Sequence, residues 1–268
     1  MCKDCGCQDA LHHHHHHAPG LDHGHDQEHD HHHHHKGLST GQVDLAGKIL
    51  AANDHLAAHN RAWFNEHQQI CFNLMSSPGS GKTLLLEKTL QWFKEHRPQQ
   101  KIKILVGDQQ TDRDAARLKQ ASYPEARIKQ INTPEACHLD AAMIYRECES
   151  FIGPEKALVI LENVGNLVCP AAFDLGQNFR VALLSVTEGE DKPIKYPTLF
   201  MQADLIVLTK LDLAAAVEWN LQDAYRFLRQ VNPWAPILEV SSKTGDGLAA
   251  WIAFLQNENP ASTTPPSP

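Results

Sequence analysis

Ser76-Ser77-Pro78-Gly79-Ser80-Gly81-Lys82-Thr83 falls between a β-rich run, Ile70–Met75, and a helix-forming run that opens Leu84-Leu85-Leu86-Glu87. Strand, GxxxxGK[ST] loop and helix in that order make a phosphate-binding P-loop. Gly79 and Gly81, on either side of Ser80, let the backbone curl so that its N–H groups face one concavity. The N-terminus of the following helix adds partial positive charge there. Lys82 supplies a point charge for the β and γ phosphates, and the Thr83 hydroxyl is a Mg²⁺ ligand in such loops. Ser76 stands where the pattern has its first glycine, a position that mainly serves the turn.

Around this loop, short β-rich runs alternate with amphipathic stretches. Strands are expected at Ile70–Met75, Lys101–Val106, Ala157–Leu161, Val181–Val186, Leu205–Leu208 and Ile237–Val240. Helices are expected at Val43–Phe64, Thr83–His96, Asp112–Gln120, Leu139–Ser150, Ala214–Val231 and Leu248–Leu255. Continuous apolar strands alternating with helices predict an α/β P-loop NTPase fold, a mostly parallel sheet flanked by helices. One such domain fits residues 41–257. Residues 1–40 read as a disordered, metal-binding tail and residues 258–268, rich in Pro, Ser and Thr, as a frayed end.

The base is read farther on. Leu205-Ile206-Val207-Leu208 runs into Thr209-Lys210-Leu211-Asp212, which matches the NKxD element of GTPases with Thr209 in place of Asn. A carboxylate at Asp212 accepts hydrogen bonds from guanine N1–H and the exocyclic amine, a donor pair that adenine lacks. The Lys210 stem is placed to cover a face of the base. Ser241-Ser242-Lys243 resembles the loop that completes a guanine pocket. GTP and GDP are therefore the expected nucleotides. A strand-end Lys and Asp that merely cap the next helix are the plain alternative.

Acidic groups end two further strands: Asp108 after Val106-Gly107, and Glu162 before Asn163-Val164-Gly165. Carboxyl ends of parallel strands are where open α/β sheets bind ligands. Asp108 and Glu162 are thus candidates, with Thr83, to hold Mg²⁺, and Lys82 and Glu162 are the candidate catalytic groups. The Gly165 N–H is placed to sense a γ-phosphate. Asp112 and Asp114 read equally well as helix-start residues. No residue stands out as the water-positioning group, so slow intrinsic hydrolysis is expected.

Composition carries a second message. Of the 19 histidines, 14 precede residue 40, and three of the seven cysteines, Cys2, Cys5 and Cys7, lie in the first seven residues. Three soft ligands so close together suit metal binding, with redox chemistry as the lesser alternative. If Met1 is removed, three thiolates with the freed α-amine of Cys2 suit square-planar Ni²⁺, while Zn²⁺ suits a tetrahedral version of the site. The histidine tract offers many neutral imidazoles for loose storage but selects no metal by affinity. Cys137-His138, expected at the start of a helix, and Cys169 make a plausible second site. From spacing alone, buried cysteines and a capping histidine explain them as well. Cys71 and Cys148 read as core. The formal net charge of −8 argues against nucleic acid as a partner. With no apolar run approaching ~18 residues and no leader-like segment, a cytoplasmic protein without membrane contact is expected.

Taken together, CxxCGC, the His-rich insert, SSPGSGKT, GDQQTDRDA, INT…ACHLDA, ENVGNLVCP, TEGEDKPIKYP and LTKLDL closely resemble the hydrogenase nickel-incorporation GTPases, the HypB family. The resemblance runs through almost the whole chain. It implies GTP-dependent Ni²⁺ insertion into the large subunit of [NiFe]-hydrogenase, with a small nickel-binding accessory protein as partner. It also implies a homodimer whose interface carries a Ni²⁺ or Zn²⁺ site, which falls here on Cys137, His138 and Cys169. Thr209 for Asn and Ser242 for the more usual Ala are departures that bear on GTP affinity. A urease-type nickel GTPase, a nickel-storage protein with a little-used nucleotide site, and a P-loop ATPase or kinase with a His-rich tail are the competing readings.

Overall fold

The computed structural model describes residues 40–108, 113–133 and 137–256. Cys2, Cys5 and Cys7, the histidine tract, Asp112 and the expected 258–268 tail lie outside them. In chain order come α1 (Thr40–Glu66), β1 (Ile70–Met75), α2 (Lys82–His96), β2 (Ile102–Asp108), α3 (Arg113–Ala121) and β3 (Ala126–Asn132). Then follow α4 (Ala141–Glu147), which runs into a π turn at Cys148–Ile152, β4 (Leu158–Glu162), α5 (Cys169–Ala172) and β5 (Phe179–Ser185). The last elements are α6 (Lys192–Lys195), α7 (Pro197–Met201), β6 (Leu205–Thr209), α8 (Leu221–Val231), β7 (Ile237–Val240) and α9 (Leu248–Leu255).

The described strands form one sheet in the order β3-β2-β4-β1-β5-β6-β7, and every pairing is parallel. Side chains alternate between its faces, as the period of a strand requires. Phe72, Leu74, Ile104, Ile160, Leu183 and Val207 point to one face, where they meet Leu86 and Leu90 of α2, Leu118 of α3 and Trp251 of α9. Cys71, Leu105, Val159 and Leu161 point to the other, against Phe64 of α1 and Ile144 of α4. Farther along that face Ala182, Leu184, Ile206 and Leu208 meet Leu199, Phe200 and Leu228. Apolar packing on both faces is why the central strands read as largely hydrophobic runs, interrupted by the buried Asn73 of β1 and Lys103 of β2.

From β1 the chain winds first to β2 on one side and later to β5 on the other, so the crevice at the carboxyl end of β1 is the switch point of the sheet. The P-loop occupies it. No helix among the described residues is long and apolar enough to cross a membrane.

Three expectations are corrected. β3 was not foreseen, because Ala126–Asn132 is an edge strand whose side chains are mostly half-buried and polar. The helix expected from Ala214 begins only at Leu221. Glu218 takes a left-handed φ of 55°, which breaks the helical path, and Asn220 caps the new start by accepting from the Asp223 N–H at 3.2 Å. Cys137-His138 does not open a helix either. Asp140 is the N-cap of α4, accepting from the Met143 N–H at 2.7 Å, and the pair lies in the bend before it.

Candidate functional site

A cavity of about 450 Å³ opens beside the P-loop, lined by Gly79, Lys82, Thr83, Asp108, Glu162 and Gly165 among others. Gly79 and Gly81 have φ of 71° and 100°, the left-handed curl that turns the loop's N–H groups inward. Ser76 has a role that its reading as a turn variant did not foresee. Its buried hydroxyl accepts from Lys82 Nζ at 2.7 Å and donates to the Ser77 carbonyl at 2.9 Å. The lysine is thereby drawn back along the loop. Burial lowers the Lys82 pKa, and the nearby Glu162 charge opposes that shift.

Glu162, at the end of β4, is 3% exposed and accepts from the Thr83 hydroxyl at 2.7 Å through Oε1. Its Oε2 is buried without a hydrogen-bond partner. Burial pushes this carboxyl up to about 7, against the opposing Thr83 bond and Lys82 charge. A buried carboxylate with one oxygen unpaired is costly. A divalent cation shared with Thr83 would remove that cost, so the donor set fits the Mg²⁺ that P-loops use. Asp108 closes β2 on the same cavity wall, and Asp114, in the first turn of α3, also lines it.

The residues expected to read the base converge on the opposite side of the loop. Thr209 donates its hydroxyl to the Ser80 carbonyl at 2.6 Å and is 3% exposed. The replacement of Asn therefore ties the base loop to the P-loop, a role that spacing alone did not reveal. Lys210 takes a left-handed φ of 60°, and its Cε passes 3.9 Å from where a Cβ on Gly81 would stand. Its stem thus passes close to the loop at Gly81. Asp212 is oriented by the Ser241 hydroxyl, which donates to Oδ1 at 2.7 Å, and Lys243 Nζ lies 4.0 Å from Oδ2. Since a carboxylate offers about four lone-pair positions, capacity remains for two guanine donors. Ser242 is buried beside them.

On the β2–β4 side the structure brings Cys137, His138 and Cys169 together, their ligand atoms all within 4.8 Å of one another. Metal–ligand bonds of roughly 2.0–2.3 Å at tetrahedral angles hold donor atoms on one ion about 3.3–3.8 Å apart, so a tightening of about 1 Å closes the set. Three protein ligands leave a coordination position for water or for a group from another chain. His138 packs on Phe173 with ring centroids 4.0 Å apart. Burial lowers its pKa, opposed by the charge of Asp140, and this keeps a ring lone pair free for metal. Cys71 and Cys148 are core residues, their thiols pushed up by burial.

A parallel sheet with a P-loop at its switch point and a tethered acidic base loop defines a P-loop nucleotide-binding protein of the GTPase type. The model of the CobW/HypB/UreG nucleotide-binding domain matches residues 70–239. The hydrogenase maturation factor HypB of Azotobacter chroococcum is 46% identical over 226 residues, 84% of this chain and 72% of that protein. That of Escherichia coli K12 is 43% identical over 210 residues, 78% and 70%. The crystal structure of HypB from Archaeoglobus fulgidus superposes with a TM-score of 0.71 at 40% identity, covering 78% of this chain and 99% of that one. The crystal structure of Helicobacter pylori HypB in complex with nickel does so at 0.70 and 39%, covering 77% and 94%. The chain belongs to the HypB family of hydrogenase maturation factors.

Proposed function

We propose that this chain is a GTP-hydrolysing nickel metallochaperone that assists Ni²⁺ insertion into the large subunit of [NiFe]-hydrogenase. The observation that carries the reading is the Cys137, His138 and Cys169 cluster, whose ligand atoms lie within 4.8 Å of one another. The nickel-bound structure of a relative 39% identical supports Ni²⁺ as cargo. Zn²⁺ suits the same three ligands and is the competing ion.

In this reading the domain, residues 41–257, acts as a homodimer, and the open coordination position of each cluster faces the partner protomer. The 1–40 tail, through Cys2, Cys5, Cys7 and its histidines, gathers metal, and 258–268 is a frayed end. A nickel-binding accessory protein supplies or receives the ion. Guanine is selected by Asp212, with Lys210, Ser242 and Lys243 around it. The γ-phosphate of GTP is met by Lys82 and the N–H groups of Gly79, Ser80, Gly81 and Gly165. Mg²⁺, held by Thr83, Glu162 and Asp108, would neutralise phosphate charge. Water adds to the γ-phosphorus as the bond to the bridging oxygen breaks, giving GDP and phosphate. Lys82 leaves Ser76 to stabilise the charge that develops. With no side chain assigned to position the water, turnover is slow, about 10⁻⁴–10⁻³ s⁻¹, as for unassisted small GTPases.

The test is Ni²⁺ titration of protein lacking residues 1–40, loaded with GDP or with a non-hydrolysable GTP analogue. Different affinity in the two states, lost in Cys137→Ala, is expected. Identical binding in both would mean that the nucleotide does not gate this metal site.

A further inference from the structure

Asn163 lines the nucleotide cavity and also bonds the segment that carries two of the cluster residues. It follows Glu162, precedes Gly165 by two residues and is 1% exposed. Its backbone N–H donates to the Leu74 carbonyl at 3.0 Å, pinning it to the strand that feeds the P-loop. Its Oδ1 accepts two bonds, from Val164 N–H at 3.0 Å and from Leu139 N–H at 3.0 Å. Leu139 is the residue after His138.

The surroundings limit how this joint moves. Leu139 is fully buried, and its Cγ lies 2.8 Å from where a Cβ on Gly107 would stand. The residue beside His138 is thus wedged against the strand end that carries Asp108. Gly165 lies equally close to the P-loop, where an added Cβ would meet Pro78 Cα at 2.8 Å. Downstream, Ala141 is fixed by α1: its N–H donates to Asn53 Oδ1 at 2.9 Å and its carbonyl accepts from Asn60 Nδ2 at 2.9 Å. Downstream, movement passed from Asn163 therefore stops at Ala141, and it reaches Cys137 and His138, two of the three cluster ligands, on the near side of that anchor.

We propose that Asn163 is the positioning residue that couples nucleotide state to the metal cluster, through its bond to the Leu139 N–H. The inference rests on the preceding reading that the cluster holds nickel and that nucleotide state changes it. One carbonyl oxygen shares its two bonds between the switch segment and the cluster segment. When residues 162–165 rearrange around a γ-phosphate, Oδ1 moves with Val164. The Leu139 N–H, buried away from water, follows it or is left unpaired. Leaving a buried donor unpaired is unfavourable, so the joint has two discrete arrangements, which is what coupling between sites requires.

Linkage is reciprocal, so the test reads nucleotide affinity in the full-length chain and avoids counting the metal held elsewhere. Affinities for fluorescent GDP and a fluorescent non-hydrolysable GTP analogue are measured with and without Ni²⁺. In the wild type, Ni²⁺ is expected to change their ratio by about fivefold or more, the usual scale of coupling. Cys137→Ala should abolish that change, and Asn163→Ala should reduce it below about twofold. Asn163→Asp keeps the acceptor oxygen. The Asn73 Nδ2, buried without a partner, can turn to donate to the new carboxylate. This variant should therefore retain the change.

An equal response in wild type and Cys137→Ala would overturn the nickel-cluster reading, and this inference with it. A response lost in Cys137→Ala but intact in Asn163→Ala would leave that reading standing and remove Asn163. Loss in both Asn163 variants would overturn the assignment to the acceptor oxygen. If Asn163→Ala does not fold, hydrogen exchange at the Leu139 amide of the wild type answers instead. Protection that differs between the two nucleotides supports the joint, and equal protection refutes it.

Discussion

In the proposed site, Glu162 ties nucleotide binding to a proton. Its carboxyl is pushed from its ordinary 4.5 up to about 7 because it is buried and only Oε1 is paired. At pH 6 about nine in ten molecules then carry the proton, and at pH 8 about one in ten. Holding Mg²⁺ requires the carboxylate. Binding of Mg²⁺-GDP should therefore release about 0.9 proton at pH 6 and about 0.1 at pH 8. The protonated state must be emptied first, which costs ~1.4 kcal/mol at pH 6 and weakens binding roughly tenfold relative to pH 8. Calorimetry in two buffers of different ionisation enthalpy reads the proton directly. Glu162→Gln has no proton to lose, so the difference between the two proteins cancels the nucleotide's own titration. The same dependence on buffer at pH 6 in both proteins would refute the reasoning. The corresponding effect on folding has a fixed sign. The raised pKa means that the nucleotide-free native state binds more protons than the unfolded chain. The stability this contributes is fully present below pH 4.5. It is lost as pH rises through about 7, and the loss amounts to about 3 kcal/mol.

Asp212→Asn should exchange guanine for xanthine nucleotides, since buried polar pairs reject analogues that lack them by roughly 10⁴-fold; unchanged affinity for fluorescent GDP would remove Asp212 from the base site. Gly165→Ala places a Cβ 2.8 Å from Pro78 Cα, an overlap with backbone that costs about 1–3 kcal/mol. It should lower the melting temperature and weaken triphosphate binding more than diphosphate binding, and a variant of wild-type stability would show that the switch segment stands clear of the loop. Trp251 is fully buried and donates its indole N–H to Thr89 at 2.9 Å. Trp251→Phe should destabilise the fold by about 1–3 kcal/mol in urea denaturation, and an unshifted midpoint would mean that the bond contributes nothing.

The P-loop and the central strands were legible because their chemistry is local. A glycine pattern and a buried apolar run are visible without knowing what packs on them. β3 was not, since an edge strand such as Ala126–Asn132 needs neither a continuous apolar run nor a strict alternation. The apolar Ala214–Val217 stretch resembled a helix start, yet the cap at Asn220 and the left-handed Glu218 begin α8 later. Asp140, three residues before Met143, is a cap signal for α4 that the sequence does carry. In the site, residue types announced Lys82, Thr83 and Glu162. Nothing in the sequence announced the Thr209 bond to Ser80 or the Asn163 bond to Leu139, because their partners are backbone groups 129 and 24 positions away.

The order of the sheet places base and metal on opposite flanks of β1. Asp212 and Lys243 follow β6 and β7, while Asp108 and Glu162 end β2 and β4, and Cys169 follows β4 in the chain. With the proposed site residues, the metal flank meets only the phosphate end of the nucleotide and is blind to which base is attached. A chain altered at Asp212 alone would keep its metal side intact while answering to a different nucleotide. An experimenter could then command the delivery step inside a cell with a xanthosine nucleotide, leaving every guanine-driven process beside it undisturbed.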